Sequence, residues 1–131
     1  MSQITDSVFY TQDHLWVLVE DSLATIGISD HGQHLLGDIM QVDLPEDDID
    51  TAAGDQLASA QGRDEDLDFV APVSGRVVEV NLELRETPEL INQDPYGAGW
   101  LVRIDMTDDR ELDGLMPAKD YEAFLERGEE D

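Results

Sequence analysis

Apolar residues fall in short runs, broken by glycines, prolines and acidic clusters, a pattern of short strands and turns. The segment VFYT opens the series with a strand. His14 to Glu20 alternates in part and ends at Glu20-Asp21-Ser22, a turn signal, and Leu23 to Ile28 returns as the second strand of a hairpin. Ser29 or Asp30 is suited to cap a short helix over Asp30 to Leu36, and Gly37 is suited to stop it. Asp38 to Leu44 alternates again, with Ile39, Gln41 and Asp43 on one face and Met40, Val42 and Leu44 on the other. The second face is the more apolar and is expected to point inward. Pro45 to Asp50 reads as an acidic loop.

A strand over about 55–61 leads into a charged turn, Gly62-Arg63-Asp64-Glu65-Asp66, and Leu67 to Ala71 returns from it. Pro72-Val73-Ser74-Gly75 is a turn in which proline presets φ and glycine accepts a positive one. Arg76 to Asn81 is a strand. Leu82 to Asn92 holds a short helical segment interrupted by Pro88, Asp94 to Gly97 turns, and Gly99 to Met106 is a further strand. Pro117 to Arg127 is the clearest helix. Proline suits its first turn, and Tyr121, Phe124 and Leu125 follow helical spacing. An acidic tail, Gly128 to Asp131, closes the chain. Some seven or eight strands with two or three short helices predict a mainly β sandwich or flattened barrel, residues 1–131 forming one domain.

Composition narrows the function classes. With 131 residues, 40% of them hydrophobic, one modest core is expected. No cysteine is present, which excludes disulfides, thiolate nucleophiles and cysteine metal sites. No apolar run is long enough to span a bilayer, and MSQITDSVFY lacks the basic and apolar regions of a secretory signal, so the cytoplasm is the expected location. Thirty-two acidic residues face seven basic ones, a net charge of −25. That field repels nucleic acid and anionic membranes. It suits either a surface adapted to high salt or a basic partner.

Candidate chemistry is sparse. His31 and His34 share a helix face at a spacing compatible with metal ligation, but no third ligand is identifiable, and no metal site is expected. Asp64-Glu65-Asp66-x-Asp68 lacks the glycine and distal glutamate of a calcium loop and reads as a solvated acidic turn. The sequence has no phosphate-binding glycine loop, no G-x-S-x-G and no Cys/His pair, so no catalysis is expected. Lys119, the single lysine, reads as a surface residue of the last helix.

The segments YTQDHLWV (10–17), ATIGISDHGQHLLGDI (24–39), VDLPE (42–46), APVSGRVVEVN (71–81), PELINQDPYGAGWLVRI (88–104) and YEAFL (121–125) stand in order. Together they resemble the H protein of the glycine cleavage system, a member of the lipoyl/biotinyl carrier domains. The resemblance covers nearly the whole chain and implies that family's hammerhead-like, flattened β barrel with short helices and a C-terminal helix. It makes His14, in its H-x-W segment, a structural residue or part of a cavity wall.

The family carries lipoate on a lysine, in a hairpin that reads like ESVKA a few residues before APVSG. Counting back from Ala71 without a gap places that glutamate on Gln61, the serine on Gly62, the valine on Arg63 and the lysine on Asp64. Lipoylation joins an acyl group to a neutral amine, and a carboxylate has no N–H to acylate. No bound cofactor is therefore expected. The resemblance implies a non-lipoylated H-like binding, regulatory or scaffold module. Its interaction hairpin is Gln61, Gly62, Arg63, Asp64, Glu65 and Asp66, and its partners are glycine cleavage or lipoate-attaching enzymes. The alternative is a working aminomethyl carrier with an attachment chemistry these residues do not supply.

Overall fold

The computed structural model describes residues 8–126, so the expected tail and the last residue of the expected C-terminal helix, Arg127, lie outside the described residues. Ten strands and three α-helices follow one another. They are β1 (Val8–Tyr10), β2 (Leu15–Glu20), β3 (Leu23–Ile28), α1 (Asp30–Leu36), β4 (Ile39–Asp43), β5 (Ile49–Thr51), β6 (Gln56–Gly62), β7 (Asp66–Val70), β8 (Gly75–Val80), α2 (Leu90–Gln93), β9 (Trp100–Met106), β10 (Met116–Pro117) and α3 (Ala118–Glu126). Short 3-10 helices span Leu82–Arg85 and Asp109–Gly114. The β2–β3 hairpin and the caps of α1 stand where the sequence pattern puts them. Ser29 accepts from the Gly32 amide at 3.1 Å, and Gly37 ends the helix with φ +73°.

Every strand pair is antiparallel. Seven strands form one sheet in the order β10-β1-β2-β3-β9-β8-β5, and β4-β6-β7 form a second. The two sheets face each other across the main core but do not close into a barrel, which decides between the two expected mainly β architectures. Leu15, Val17, Ile26 and Ile104 of the large sheet meet Val42, Ala60 and Phe69 of the small one in one buried cluster. A second cluster, of Val8, Tyr10, Trp16 and Tyr121, seats α3 on the outer end of the large sheet. No helix among the described residues is long and apolar enough to cross a membrane.

Three local expectations are corrected. The acidic loop at Pro45 to Asp50 contains most of β5, which pairs Ile49 with Val77 and Asp50 with Arg76. The Arg76 guanidinium binds Asp48 at 2.8 Å and Asp50 at 3.4 Å, so cross-strand charge supplies what alternation does not. Pro117 is not in the first turn of the helix. It pairs with Phe9 as the last residue of edge strand β10, and α3 starts one residue later. In β4 a register shift between Ile39 and Gln41 breaks the alternation. Ile39 and Val42 are buried, whereas Met40 is 65% exposed, although the pattern had placed Met40 with the inward face.

The bulge is testable by a pair of substitutions. Ile39→Ala is expected to cost about 2–5 kcal/mol of unfolding free energy. Met40→Ser is expected to change it by less than about 0.5 kcal/mol. Denaturant melts of both variants at one fixed salt concentration check this, and equal losses would remove the bulge from the account.

Candidate functional site

The charged turn between β6 and β7 is tighter than its sequence suggests. Gly62 and Asp66 belong to the strands, and Gln61, half-buried, pairs with Asp66 and with Gln41 of β4. Only Arg63, Asp64 and Glu65 form the tip, and all three are exposed. The Gly62 amide donates to the Glu65 carbonyl at 2.9 Å and closes the turn. Asp66 and Asp68 are also exposed, one alternation apart on β7, while Phe69 enters the core.

The tip lies against the C-terminal end of α1. The Arg63 amide donates to the Asp38 carbonyl at 2.8 Å, and the Asp64 amide donates to the Leu36 carbonyl at 2.9 Å. Leu36 ends the helix, where carbonyls lack partners within the helix, and the tip satisfies this one. Asn92 of α2 braces the same corner. Its side chain donates to the Gly37 carbonyl at 2.9 Å and to Gln33 at 2.8 Å, and accepts from the Ile39 amide at 3.0 Å. The Asp64 carboxylate lies over Gly37, 2.5 Å from where a Cβ on that glycine would stand. Arg63 reaches Asp38 at 3.5 Å and Asp64 at 3.9 Å. These three side chains are 61–74% exposed, so their charge pairing contributes little beside the main-chain bonds.

The other end of α1 is held by buried polar groups. His14, with φ +73° and 5% exposure, accepts the Ser29 amide on its carbonyl at 2.8 Å and places Nδ1 2.9 Å from the Tyr121 hydroxyl. That hydroxyl also lies 2.8 Å from Ser29 Oγ. His14 therefore joins β2, α1 and α3, the structural role among its two expected ones. His31 stands against the His14 ring with centroids 4.9 Å apart, and His34 pairs with Asp30 at 3.4 Å. Among the described residues no group of three or more His, Asp or Glu side chains is placed to hold a metal. Burial raises the Tyr10 phenol's pKa well above its ordinary value, with the Tyr96 hydroxyl adding to the effect.

The residues that sequence reasoning missed are the anchors, Leu36, Asp38 and Asn92. Gly37 was legible as a helix stop, but nothing in the local pattern connects it with a hairpin 26 positions on. Ser29 was legible as a cap, but its link to Tyr121 spans 92 positions and has no local signal.

Two facing antiparallel sheets, a hairpin seated on a short helix and a C-terminal helix define a protein of the lipoyl/biotinyl-carrier class. The glycine cleavage H-protein family model matches residues 8–128. The glycine cleavage system H protein of Alcanivorax borkumensis is 43% identical over 126 residues, covering 96% of this chain and 98% of its own. That of Pectobacterium atrosepticum is 45% identical over 130 residues, covering 98% and 100%. The crystal structure of a glycine cleavage system H protein from Mycobacterium marinum superposes with a TM-score of 0.84 at 32% identity, covering 93% of this chain and 98% of that one. The chain belongs to the glycine cleavage H-protein family. Members of this family are lipoyl carriers rather than catalysts, and lipoate is their cofactor.

The groups at the tip do not fit a lipoyl amide. The place equated with the family's lysine holds the Asp64 carboxylate, and Arg63 offers a guanidinium that stays protonated. Lys119, exposed on α3, belongs to an element packed on β1 and β10 rather than to the hairpin.

Two measurements test the polar framework. Tyr121→Phe removes a hydroxyl bound to two buried groups and is expected to cost about 1–3 kcal/mol by chemical denaturation. A raised Tyr10 pKa means that, above the unfolded value of roughly 10, the unfolded chain releases a proton the folded chain keeps. Stability is therefore expected to fall as pH rises past about 10, and Tyr10→Phe to flatten that decline, in melts taken across the alkaline range.

Proposed function

We propose that this chain is a non-lipoylated H-like protein, a binding, regulatory or scaffold module for enzymes that recognise the H-protein surface. Those enzymes are the glycine cleavage and lipoate-attaching ones. The observation that carries the reading is Asp64. The residue at the attachment place is a carboxylate, and no lysine precedes Lys119. The rest of the family frame stands beside it: the sheets, the α1 cap, the APVSG turn at Ala71–Gly75 and the PYGAGW segment entering β9. Loss at the tip with retention around it supports a surface kept for docking.

In this reading residues 1–131 act as one unit in the cytoplasm. The contact is made by Gln61, Gly62, Arg63, Asp64, Glu65 and Asp66. The six-residue hairpin carries Asp64, Glu65 and Asp66 against Arg63, a local charge of −2, so a cationic surface is its complement. With carboxylates in place of an amine, the protein occupies a carrier's docking place without receiving or handing on an acyl-linked group, and competes with a loaded carrier for it.

The test is a pull-down from the native host at working salt with the bait's intact mass recorded. An unmodified mass together with recovery of glycine cleavage or lipoate-attaching enzymes is the expected result. A mass increment matching a lipoyl amide would overturn the reading in favour of a working carrier. An unmodified bait that retains none of those enzymes would overturn the docking role.

A further inference from the structure

Gly62 stands where the resemblance places a serine, and the structure leaves no room for one. A Cβ on Gly62 would overlap the Leu36 carbonyl oxygen and lie 2.7 Å from both the Leu36 carbonyl carbon and its Cβ. Leu36 is fully buried, and its carbonyl is already bound by the Asp64 amide, so this is backbone that cannot swing aside. On the opposing surface, Gly37 leaves the space that the Asp64 carboxylate fills. Two glycines thus let the hairpin tip rest directly on the helix end. A serine at position 62 is accommodated only if the tip lifts, which stretches the Arg63–Asp38 and Asp64–Leu36 main-chain bonds.

We propose that Gly62 is a positioning residue that latches the tip onto the end of α1, and that the latched tip turns away lipoate attachment even when an amine is supplied at position 64. This rests on the reading of the hairpin as a docking surface. A lysine at 64 starts from a Cβ placed 3.5 Å from the Gly37 Cβ position, over the carbonyl end of α1. That end carries partial negative charge, Asp38 follows it directly, and Glu65 and Asp66 follow position 64 in the chain. An ammonium there is stabilised in its protonated, non-nucleophilic form. It is also held down on main chain that an attaching enzyme has to draw out. Lifting the tip removes the helix-end contact and frees the side chain.

Amide hydrogen exchange on the full chain tests the latch. The Arg63 and Asp64 amides are expected to exchange slowly in the native protein. Gly62→Ser is expected to speed both by about tenfold or more and leave β3 and β9 amides unchanged. Gly62→Ala serves the same purpose if the serine variant folds poorly. Incubation with a lipoate-attaching enzyme and its acyl donor is then followed by intact mass. Asp64→Lys is expected to remain unmodified, and Asp64→Lys with Gly62→Ser to gain the lipoyl increment. Tip amides that exchange at free-chain rates in the native protein would overturn the latch. So would equal modification of the two lysine variants, whether complete or absent in both. Recovery of enzymes on the native bait reports separately on the docking reading.

Discussion

The short turn Leu36-Gly37-Asp38 is the constraint on which the hairpin end of the molecule depends. A helix must stop there and a strand must begin at once, and only a residue at ease with φ near +73° makes that change without strain. The turn exposes two carbonyls, of Leu36 and Asp38, side by side. The β6–β7 tip takes both, and Asn92 takes the one between them. One glycine therefore sets the end of α1, the start of β4, the height of the hairpin and the seat of α2. Helices as short as α1 and α2 have little intrinsic stability, so their order comes from such tertiary bonds.

Charge works differently in this protein from shape. At −25 the surface as a whole repels itself, yet several arginines are spent locally, each binding carboxylates near in space. Arg76 joins β8 to the β5 segment. Arg103 binds Glu79 of β8 and lies 4.2 Å over the Trp100 ring. Arg63 spans the tip and the helix end. Each of these pairs sits where two segments meet edge to edge. Arg76 and Arg103 thus act as cross-strand ties within a surface that salt must screen.

Much of the fold was readable in the chain because its cues are local. Hairpin alternation gave β2 and β3, Ser29 and Gly37 bracketed α1, and Pro88 divided the helical segment after β8. The failures share a cause. β5 lies in an acidic stretch, and its pairing is supported by Arg76 on another strand, which binds Asp48 and Asp50. The β4 bulge is decided by its register with β6, and Pro117 is claimed by Phe9 across a sheet edge. At the tip, the identity of Asp64 was plain from the order of residues. The seating of the tip on α1 was not, because Gly62 looks like any turn glycine until the carbonyl beneath it is placed.

The ends of the large sheet carry one more consequence. A sheet that does not close leaves two outer strands whose free amides and carbonyls invite other chains to pair and aggregate. Here one border ends in Pro117, which has no N–H to offer, and is followed directly by α3. The other is β5, three residues long and flanked by Asp48 with Asp50 inside it, a border that repels an identical border. Both are too short or too charged to act as templates. The borders of the large sheet are thereby kept from recruiting further strands and growing into fibres.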